Sequence, residues 1–191
     1  MTHYNMNKVL KRSGQSRVGA IKKEVRQLVT MYALDPDNPK ELRREDRRSA
    51  MAYLMFLKEK RDGKIKSRGC CDGIVQQNYT TKEEMSSPAV IQESLVVTCI
   101  INAMEGRDVA ITDIPVAFIY TDMVNRNYTV RVRLCGVLAH LLVRIEPSNF
   151  AEKVVLEGGQ KVIYAILKKA LYGALIASLI FCQDLYRVLQ S

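Results

Sequence analysis

The most informative stretch for the fold is Tyr53-Leu-Met-Phe-Leu-Lys-Glu-Lys-Arg-Asp-Gly-Lys-Ile-Lys-Ser-Arg-Gly-Cys70. The turn sequence Arg61-Asp62-Gly63 separates two runs that are typical of strands. Because Asp-Gly between such runs favours a tight turn, the sequence predicts a β-hairpin. A basic two-stranded ribbon suits a phosphate backbone, although lysines on a hairpin can also simply protect an exposed edge from aggregation. The basic residues of the ribbon are Lys58, Lys60, Arg61, Lys64, Lys66 and Arg68.

The charge of the chain is unevenly distributed. Residues 1–68 contain 18 Lys and Arg against 8 Asp and Glu, whereas residues 69–191 contain 11 against 12. The net charge of +9 therefore originates entirely in the first third of the sequence. Such a block favours a polyanionic partner, because each phosphate contact releases condensed counterions. A solvated basic surface that only aids solubility is the alternative.

Two helices are predicted before the hairpin. An apolar stripe at helical spacing predicts the first from Ser16 to Ala33. Asp35-Pro-Asp-Asn-Pro39 interrupts it, and a second helix is predicted from Glu41 to Met51. We expect the four arginines of the second helix to share one face. These are Arg43, Arg44, Arg47 and Arg48.

The rest of the chain mixes helices with alternating strands. We expect a helix from Ser87-Pro88 to about Glu105, closed by Gly106, and a short buried strand from Val109 that ends at Asp113. Strands are predicted around residues 128–134 and 162–166, and helices over residues 136–145 and 174–189. Without βαβ regularity the class is α+β, an antiparallel sheet with packed helices. We expect residues 1–14 to be a flexible basic N-terminus and residues 15–191 to form one domain.

Asp113 is the strongest candidate for a catalytic or metal-binding residue. A carboxylate at the end of an apolar strand is costly to bury unless it meets a cation. Two-metal phosphoryl chemistry needs more than one carboxylate, however. Asp108 lies at an odd offset and would face away on a regular strand, and Asp122 lies beyond the turn at Pro115. A turn or capping role for Asp113 therefore remains the alternative.

Several short motifs occur in an order that resembles a known family. They are the basic hairpin, Ser87-Pro88, Asp113-Ile-Pro-Val-Ala-Phe118 and Lys168-Lys-Ala-Leu-Tyr-Gly173. Over roughly residues 17–182 the chain resembles the reverse transcriptase of copia-type retrotransposons. The resemblance implies a partial right-hand polymerase, the fingers plus part of the palm, and the activity of an RNA-directed DNA polymerase, a nucleotidyltransferase.

The resemblance also implies roles for individual residues. Asp113 falls on the catalytic aspartate that binds Mg²⁺. Phe118 falls on the aromatic residue under the nucleotide sugar, and Lys66 and Arg68 on the pair that meets the incoming triphosphate. The implied partners are an RNA template, a DNA primer and deoxynucleotides.

The sequence departs from that family at important positions. Ile176 stands where the family has a glutamine, and no Tyr-x-Asp-Asp occurs among the 191 residues. We therefore expect an incomplete reverse transcriptase domain without polymerase activity on its own. The alternatives are a basic nucleic-acid-binding module, which uses the hairpin and the arginine helix, or a retroelement relic with no retained role.

Cysteine spacing and hydropathy indicate the cellular setting. The five cysteines include no C-x-x-C pair, so we expect free thiols in an intracellular protein without a structural zinc site. The longest apolar run, Leu171 to Cys182, is shorter than the ~20 residues that a membrane span needs. We therefore expect no membrane partner.

Overall fold

A computed structural model of the protein describes residues 15–85, 90–123 and 129–190. The helices are α1 (Gln15–Thr30), α2 (Arg44–Ser49), α3 (Lys82–Met85), α4 (Gln92–Met104), α5 (Val137–Ile145), α6 (Pro147–Phe150) and α7 (Ala177–Gln190). The strands are β1 (Leu34–Pro36), β2 (Met51–Glu59), β3 (Ile65–Cys71), β4 (Arg131–Cys135), β5 (Val155–Glu157) and β6 (Gln160–Leu167). Short 3-10 helices cover Gly73–Asn78, Ala117–Tyr120 and Ala151–Lys153. The α+β class is confirmed.

The strands form one sheet in the order β1-β6-β4-β2-β3, and β5 pairs with β6. All pairs are antiparallel except β2 with β4, which run parallel through Met51↔Val132 and Ala52↔Arg133. The expected purely antiparallel sheet is therefore a mixed one. A parallel pair needs a long crossover connection, and the chain between β3 and β4 is long enough to supply it.

The main core lies between one face of the sheet and two helices. The apolar stripe of α1 is buried at Ile21, Val25 and Leu28, as its spacing predicts. The alternation in β4 is also confirmed, because Val132 and Leu134 are fully buried. Helix α5 completes this layer with Leu138, Ala139 and Leu142.

A second, smaller cluster covers the opposite face of the sheet. It contains Ala50, Val162 and Tyr164, with Leu42 and Cys135 packed against it. Strand β6 is consequently buried on both faces, since Ile163 and Ala165 belong to the main core. This central position in the sheet explains why β6 is apolar with hardly any alternation.

The expected strand from Val109 to Asp113 is wrong. Residues 107–114 form no regular element, and Val109 and Ile111 are 61% and 96% exposed. Strand propensity is expressed only where a neighbouring strand and a surface to pack on are available, and the described part of the chain offers this segment neither. The helix before it is present as α4, with Gly106 at φ +63° just beyond its end. Its predicted start at Ser87-Pro88 is wrong, because α4 begins at Gln92 with the extended residue Ile91 as its N-cap.

Three other boundaries differ from expectation. Helix α1 ends at Thr30 rather than at Ala33. Helix α2 is shorter than the predicted span from Glu41 to Met51, because Met51 is already the first residue of β2. Helix α7 begins at Ala177 rather than Ala174. The expectations for residues 1–14 and for Tyr128 lie outside the described residues, as do Ser87 and Pro88 themselves.

Candidate nucleic-acid interface

The predicted hairpin is confirmed as β2 and β3, with seven residue pairs in register from Tyr53↔Cys71 to Glu59↔Ile65. Its turn is closed by the Lys60 N–H, which donates to the Lys64 carbonyl at 2.9 Å, and by the Gly63 N–H, which donates to the Lys60 carbonyl at 3.0 Å. Gly63 has φ +75°, a conformation that glycine adopts without steric cost. The Asp-Gly sequence therefore fixes the turn and, through it, the register of every pair in the hairpin.

One face of the hairpin packs on α1. The Ser67 hydroxyl donates to the Ala20 carbonyl at 2.7 Å, and the Gly69 N–H donates to a carboxylate oxygen of Glu24 at 2.9 Å. Tyr53, on the same face, is buried in the main core. Because β3 is an edge strand, the Glu24 contact satisfies a backbone donor that would otherwise be open to another chain. These contacts fix the orientation of the hairpin relative to the core.

The opposite face of the hairpin carries three cations and faces solvent. Lys58 and Lys66 are register partners, and Arg68 follows on the same face opposite Phe56. All three cations are exposed, and among the described residues none of them forms a hydrogen bond or an ion pair. Phe56, on the same face, is half-buried. We call the surface of Lys58, Lys66 and Arg68 the outer basic face.

The hairpin tip adds cations that are partly neutralised. Asp62 forms an ion pair with Lys64, with 3.3 Å between Nζ and Oδ2, and accepts from the Lys64 N–H at 3.1 Å. These hydrogen bonds lower the pKa of the Asp62 carboxyl, which therefore stays ionised. Lys60 and Arg61 are exposed beside it. The tip thus contributes less net positive charge than its three basic residues would suggest.

The four arginines around α2 do not form the single basic face that their spacing predicts. Arg47 donates to Glu157 Oε1 at 2.7 Å and lies over the ring of Tyr164, with 5.7 Å to the centroid. Arg43 precedes the helix and donates to Asp46. Arg43, Arg44 and Arg48 are all exposed, and 74% of the Arg43 side chain is accessible to solvent. Of the four arginines, Arg47 therefore links α2 to the sheet, whereas the contact of Arg43 with Asp46 is local to the start of the helix.

Asp46 is the centre of that attachment. It accepts from Arg43 Nε at 3.1 Å and from Arg131 Nη1 at 2.9 Å, and Arg131 Nε also lies 3.3 Å from Asp37 Oδ2. The hydrogen bond from Arg43 is the main cause that lowers the pKa of Asp46. For Asp37, burial outweighs the attraction of Arg131 and raises its pKa. This network is a structural clamp between β4 and the segment before β2.

The Lys168–Gly173 motif docks on the base of the hairpin. The Cys71 N–H donates to the Tyr172 carbonyl at 2.7 Å, and the Leu175 N–H donates to Oε1 of the buried Gln76 at 2.6 Å. Gly173 has φ +83°, and a Cβ atom there would lie 2.0 Å from the Cys71 carbonyl oxygen. Close packing and backbone conformation therefore explain why this position needs a glycine, and no ligand is required to explain it.

Phe118 lies where the two polymerase-like motifs meet. Its ring is 4.7 Å from that of Tyr172 and 5.6 Å from that of Phe181, measured between centroids. Phe118 and Tyr172 line a small cleft together with Tyr53 and Gly69 of the hairpin. Val116, two residues before Phe118, is in the left-handed region at φ +52°, which is rare for a β-branched residue. The predicted role of Phe118 at a nucleotide stays a prediction.

Asp113 lies on the exposed segment that precedes this cleft. Asp122, which lies beyond the turn at Pro115, forms an ion pair with Lys169, with 2.8 Å between Oδ1 and Nζ. Over residues 15–85, 90–123 and 129–190, no three His, Cys, Asp or Glu side chains come together in a way that could hold a metal ion. The carboxylates that the described residues provide therefore do not fit the Mg²⁺ site that the family resemblance implies.

The cysteines are all unpaired by disulfides. Cys71 is buried, and burial raises the pKa of its thiol, which disfavours the thiolate form that metals bind. No helix within the described part of the chain has both the length and the apolar character needed to cross a membrane.

Comparison with known proteins does not assign a family. No family model, no curated protein and no solved structure matches this chain.

Proposed function

We propose that this chain binds the phosphate backbone of a nucleic acid through the outer basic face of its hairpin. In this proposal it is a fingers-and-partial-palm fragment of a copia-type reverse transcriptase, with RNA or DNA strands as partners. The observation that carries the proposal is the placement of Lys58, Lys66 and Arg68 on one rigid face, where the described residues offer them no acidic partner.

The geometry of the outer basic face suits a backbone rather than a single small anion. Lys58 and Lys66 lie side by side across the two strands. Arg68 follows two residues further along β3, about 7 Å from Lys66 at the usual rise of a strand. A row of cations of this kind neutralises successive phosphates and reads no base sequence. We therefore expect binding that depends strongly on salt and little on sequence.

Support for the rigidity of this face comes from its back side. The hydrogen bonds of Ser67 and Gly69 to α1 and of Cys71 to Tyr172 hold the hairpin at its middle and base. The side chains on the outer face are thus presented by a fixed backbone. Fixed cations lose less conformational entropy on binding than cations on a mobile loop.

Polymerase catalysis is the weaker candidate for this chain. Nucleotide addition needs carboxylates that converge on two metal ions. Asp113 is exposed on an irregular segment, and Asp122 is engaged by Lys169. We therefore propose no catalytic step for this chain on its own.

Fluorescence anisotropy with a labelled 20-nucleotide single strand tests the proposal. We expect tight binding at low salt that weakens steeply as the salt concentration rises. We also expect similar affinities for oligonucleotides of different sequence. An absence of binding at low salt would overturn the proposal and would favour a retroelement relic with no retained role.

A further inference from the structure

Helix α4 is the most anomalous element of the fold, because it is apolar and yet none of its residues is buried. Large apolar side chains are exposed along its whole length, from 43% at Ile101 to 83% at Met104. Soluble monomers rarely expose a contiguous patch of this kind. A helix that is mostly apolar around its circumference is normally covered by protein.

The helix nevertheless has a distinct polar side. Ser94, Thr98 and Asn102 recur at intervals of four residues and therefore form one stripe. The Thr98 hydroxyl donates back to the Ser94 carbonyl at 2.8 Å, which lies along this stripe. Asn102 is half-buried whereas the other residues of α4 are exposed, so this stripe is the side of the helix that is turned toward the rest of the described chain. The covering partner is therefore expected on the opposite side.

The side opposite the polar stripe is suited to pair with itself. Val96, Val97, Ile100 and Met104 follow one another at helical spacing, and each is more than half exposed. Glu93 lies on the same side in the first turn. Arg107 is held just beyond the last turn, because its N–H donates to the Asn102 carbonyl at 2.9 Å.

We propose that α4 is a dimerisation helix, which pairs antiparallel with α4 of a second copy of this chain about a two-fold axis at Ile100. In that arrangement Val96 faces Met104 of the second copy, and Glu93 faces Arg107 of the second copy. Both ends of the helix pair thus bring opposite charges together. A parallel pair would place Glu93 against Glu93 and would align the helix dipoles unfavourably.

Charge complementarity identifies the second copy as the occupant. Glu93 is the single charged residue within α4, so the apolar side meets no buried charge when the helix pairs with itself. Arg107 already forms an ion pair with Glu105, and in the dimer it lies between that carboxylate and Glu93 of the second copy. The interface is isologous, as two-fold dimers require.

Sedimentation-velocity ultracentrifugation of the full chain tests this inference. We expect a monomer–dimer equilibrium in the micromolar range. Ile100→Asp should give a monomer at all concentrations, whereas Thr98→Asp, on the polar stripe, should dimerise like the wild type. Because Ile100 is about half exposed, its replacement leaves the core intact, and circular dichroism checks that both variants fold.

Exchange of the charges of Glu93 and Arg107, at the two ends of the helix pair, tests the antiparallel register. Glu93→Arg or Arg107→Glu alone should raise the dimer dissociation constant roughly 10-fold, since each change affects both symmetric pairs. The double variant should restore dimerisation. A wild-type monomer at every concentration, a dimer that survives Ile100→Asp, or binding of the monomer to neutral lipid vesicles would each overturn the inference.

Discussion

Lys58 and Lys66 lie directly opposite each other across the hairpin, on the face that is turned away from α1. Like charges in this position destabilise a strand pair by about 0.2–1 kcal/mol. Neither lysine has an acidic partner among the described residues to offset the repulsion. An anion that binds across both side chains removes the repulsion, so stability and binding oppose each other at this site.

Replacement of Lys66 by glutamate should therefore stabilise the fold and impair binding together. Lys66→Glu creates a cross-strand ion pair with Lys58, and the free energy of unfolding should rise by about 0.2–1 kcal/mol in urea titrations. The affinity for an oligonucleotide should fall, because one favourable phosphate contact becomes a repulsive one. Lys161→Glu, which makes the same charge change on exposed β6, is the control and should leave the affinity nearly unchanged. Equal losses of affinity in both variants would contradict the assignment of the outer basic face.

Gly173→Ala should destabilise the protein by roughly 2–4 kcal/mol. The added Cβ lies 2.0 Å from the Cys71 carbonyl oxygen, and φ is +83°, so overpacking and backbone strain combine. Gly19→Ala is the matched control, because nothing lies within 4 Å of its Cβ and α1 should gain about 0.5–1 kcal/mol. Chemical denaturation of both variants checks this pair, and a neutral Gly173→Ala would mean that the hairpin base does not dock on residues 168–175 as described.

Asp46 should make the stability depend on pH under acidic conditions. The hydrogen bond from Arg43 is the main cause that lowers the pKa of Asp46 in the folded state below the ordinary value of 3.8. The ionised carboxylate therefore contributes its full share to the free energy of unfolding above pH 3.8. That share is lost as the pH falls through the folded pKa. Asp46→Asn should therefore cost about 1–3 kcal/mol at pH 7 and progressively less as the pH falls through the folded pKa. Urea titrations over a series of acidic pH values measure this.

Asp37 provides the contrast for that experiment. Burial raises the pKa of the Asp37 carboxyl above 3.8. Ionisation of this carboxyl therefore costs more free energy in the folded state than in the unfolded state. Protonation through this raised pKa therefore favours folding as the pH falls, in the opposite direction to Asp46. Asp37→Asn should consequently cost less at pH 7 than Asp46→Asn. The reverse order would show that Arg131 depends on Asp37 more than on Asp46.

Asp113→Asn should change neither stability nor nucleic-acid binding. The side chain is exposed and lies on an irregular segment, so we expect an effect within about 0.5 kcal/mol on unfolding. Primer extension on an RNA template with Mg²⁺ or Mn²⁺ should give no product with either protein. Synthesis by the wild type that is lost in Asp113→Asn would contradict the proposal that this chain lacks catalysis.

Local signals made the hairpin predictable from the sequence. Asp62-Gly63 fixes the turn, and the turn fixes the register that brings Lys58 next to Lys66. The stripe of α1 and the alternation of β4 were predictable for the same reason, since burial imposes their periods. The exposure of Lys66 and Arg68 follows from the same alternation of buried and exposed side chains along β3.

Features that depend on distant residues could not be predicted. Arg47 is withdrawn from the expected basic face by Glu157, which is 110 residues away in sequence. Val109 to Asp113 has strand propensity, but no strand of the described residues lies beside it, and the sequence alone does not reveal this. The parallel pairing of β2 with β4 likewise depends on where a long connection returns the chain.

The salt dependence of oligonucleotide binding tests the central claim most directly. A plot of log K against log salt concentration should be linear, and the Lys58→Ala/Lys66→Ala/Arg68→Ala variant should reduce its slope by about 2, since each phosphate contact on a single strand contributes about 0.7. The control is Lys23→Ala/Lys40→Ala/Lys161→Ala, which removes the same charge from exposed positions off the hairpin. A slope that falls only in the hairpin variant is the predicted result. Slopes that fall equally in both variants would contradict a defined interface and leave only diffuse attraction to a basic protein.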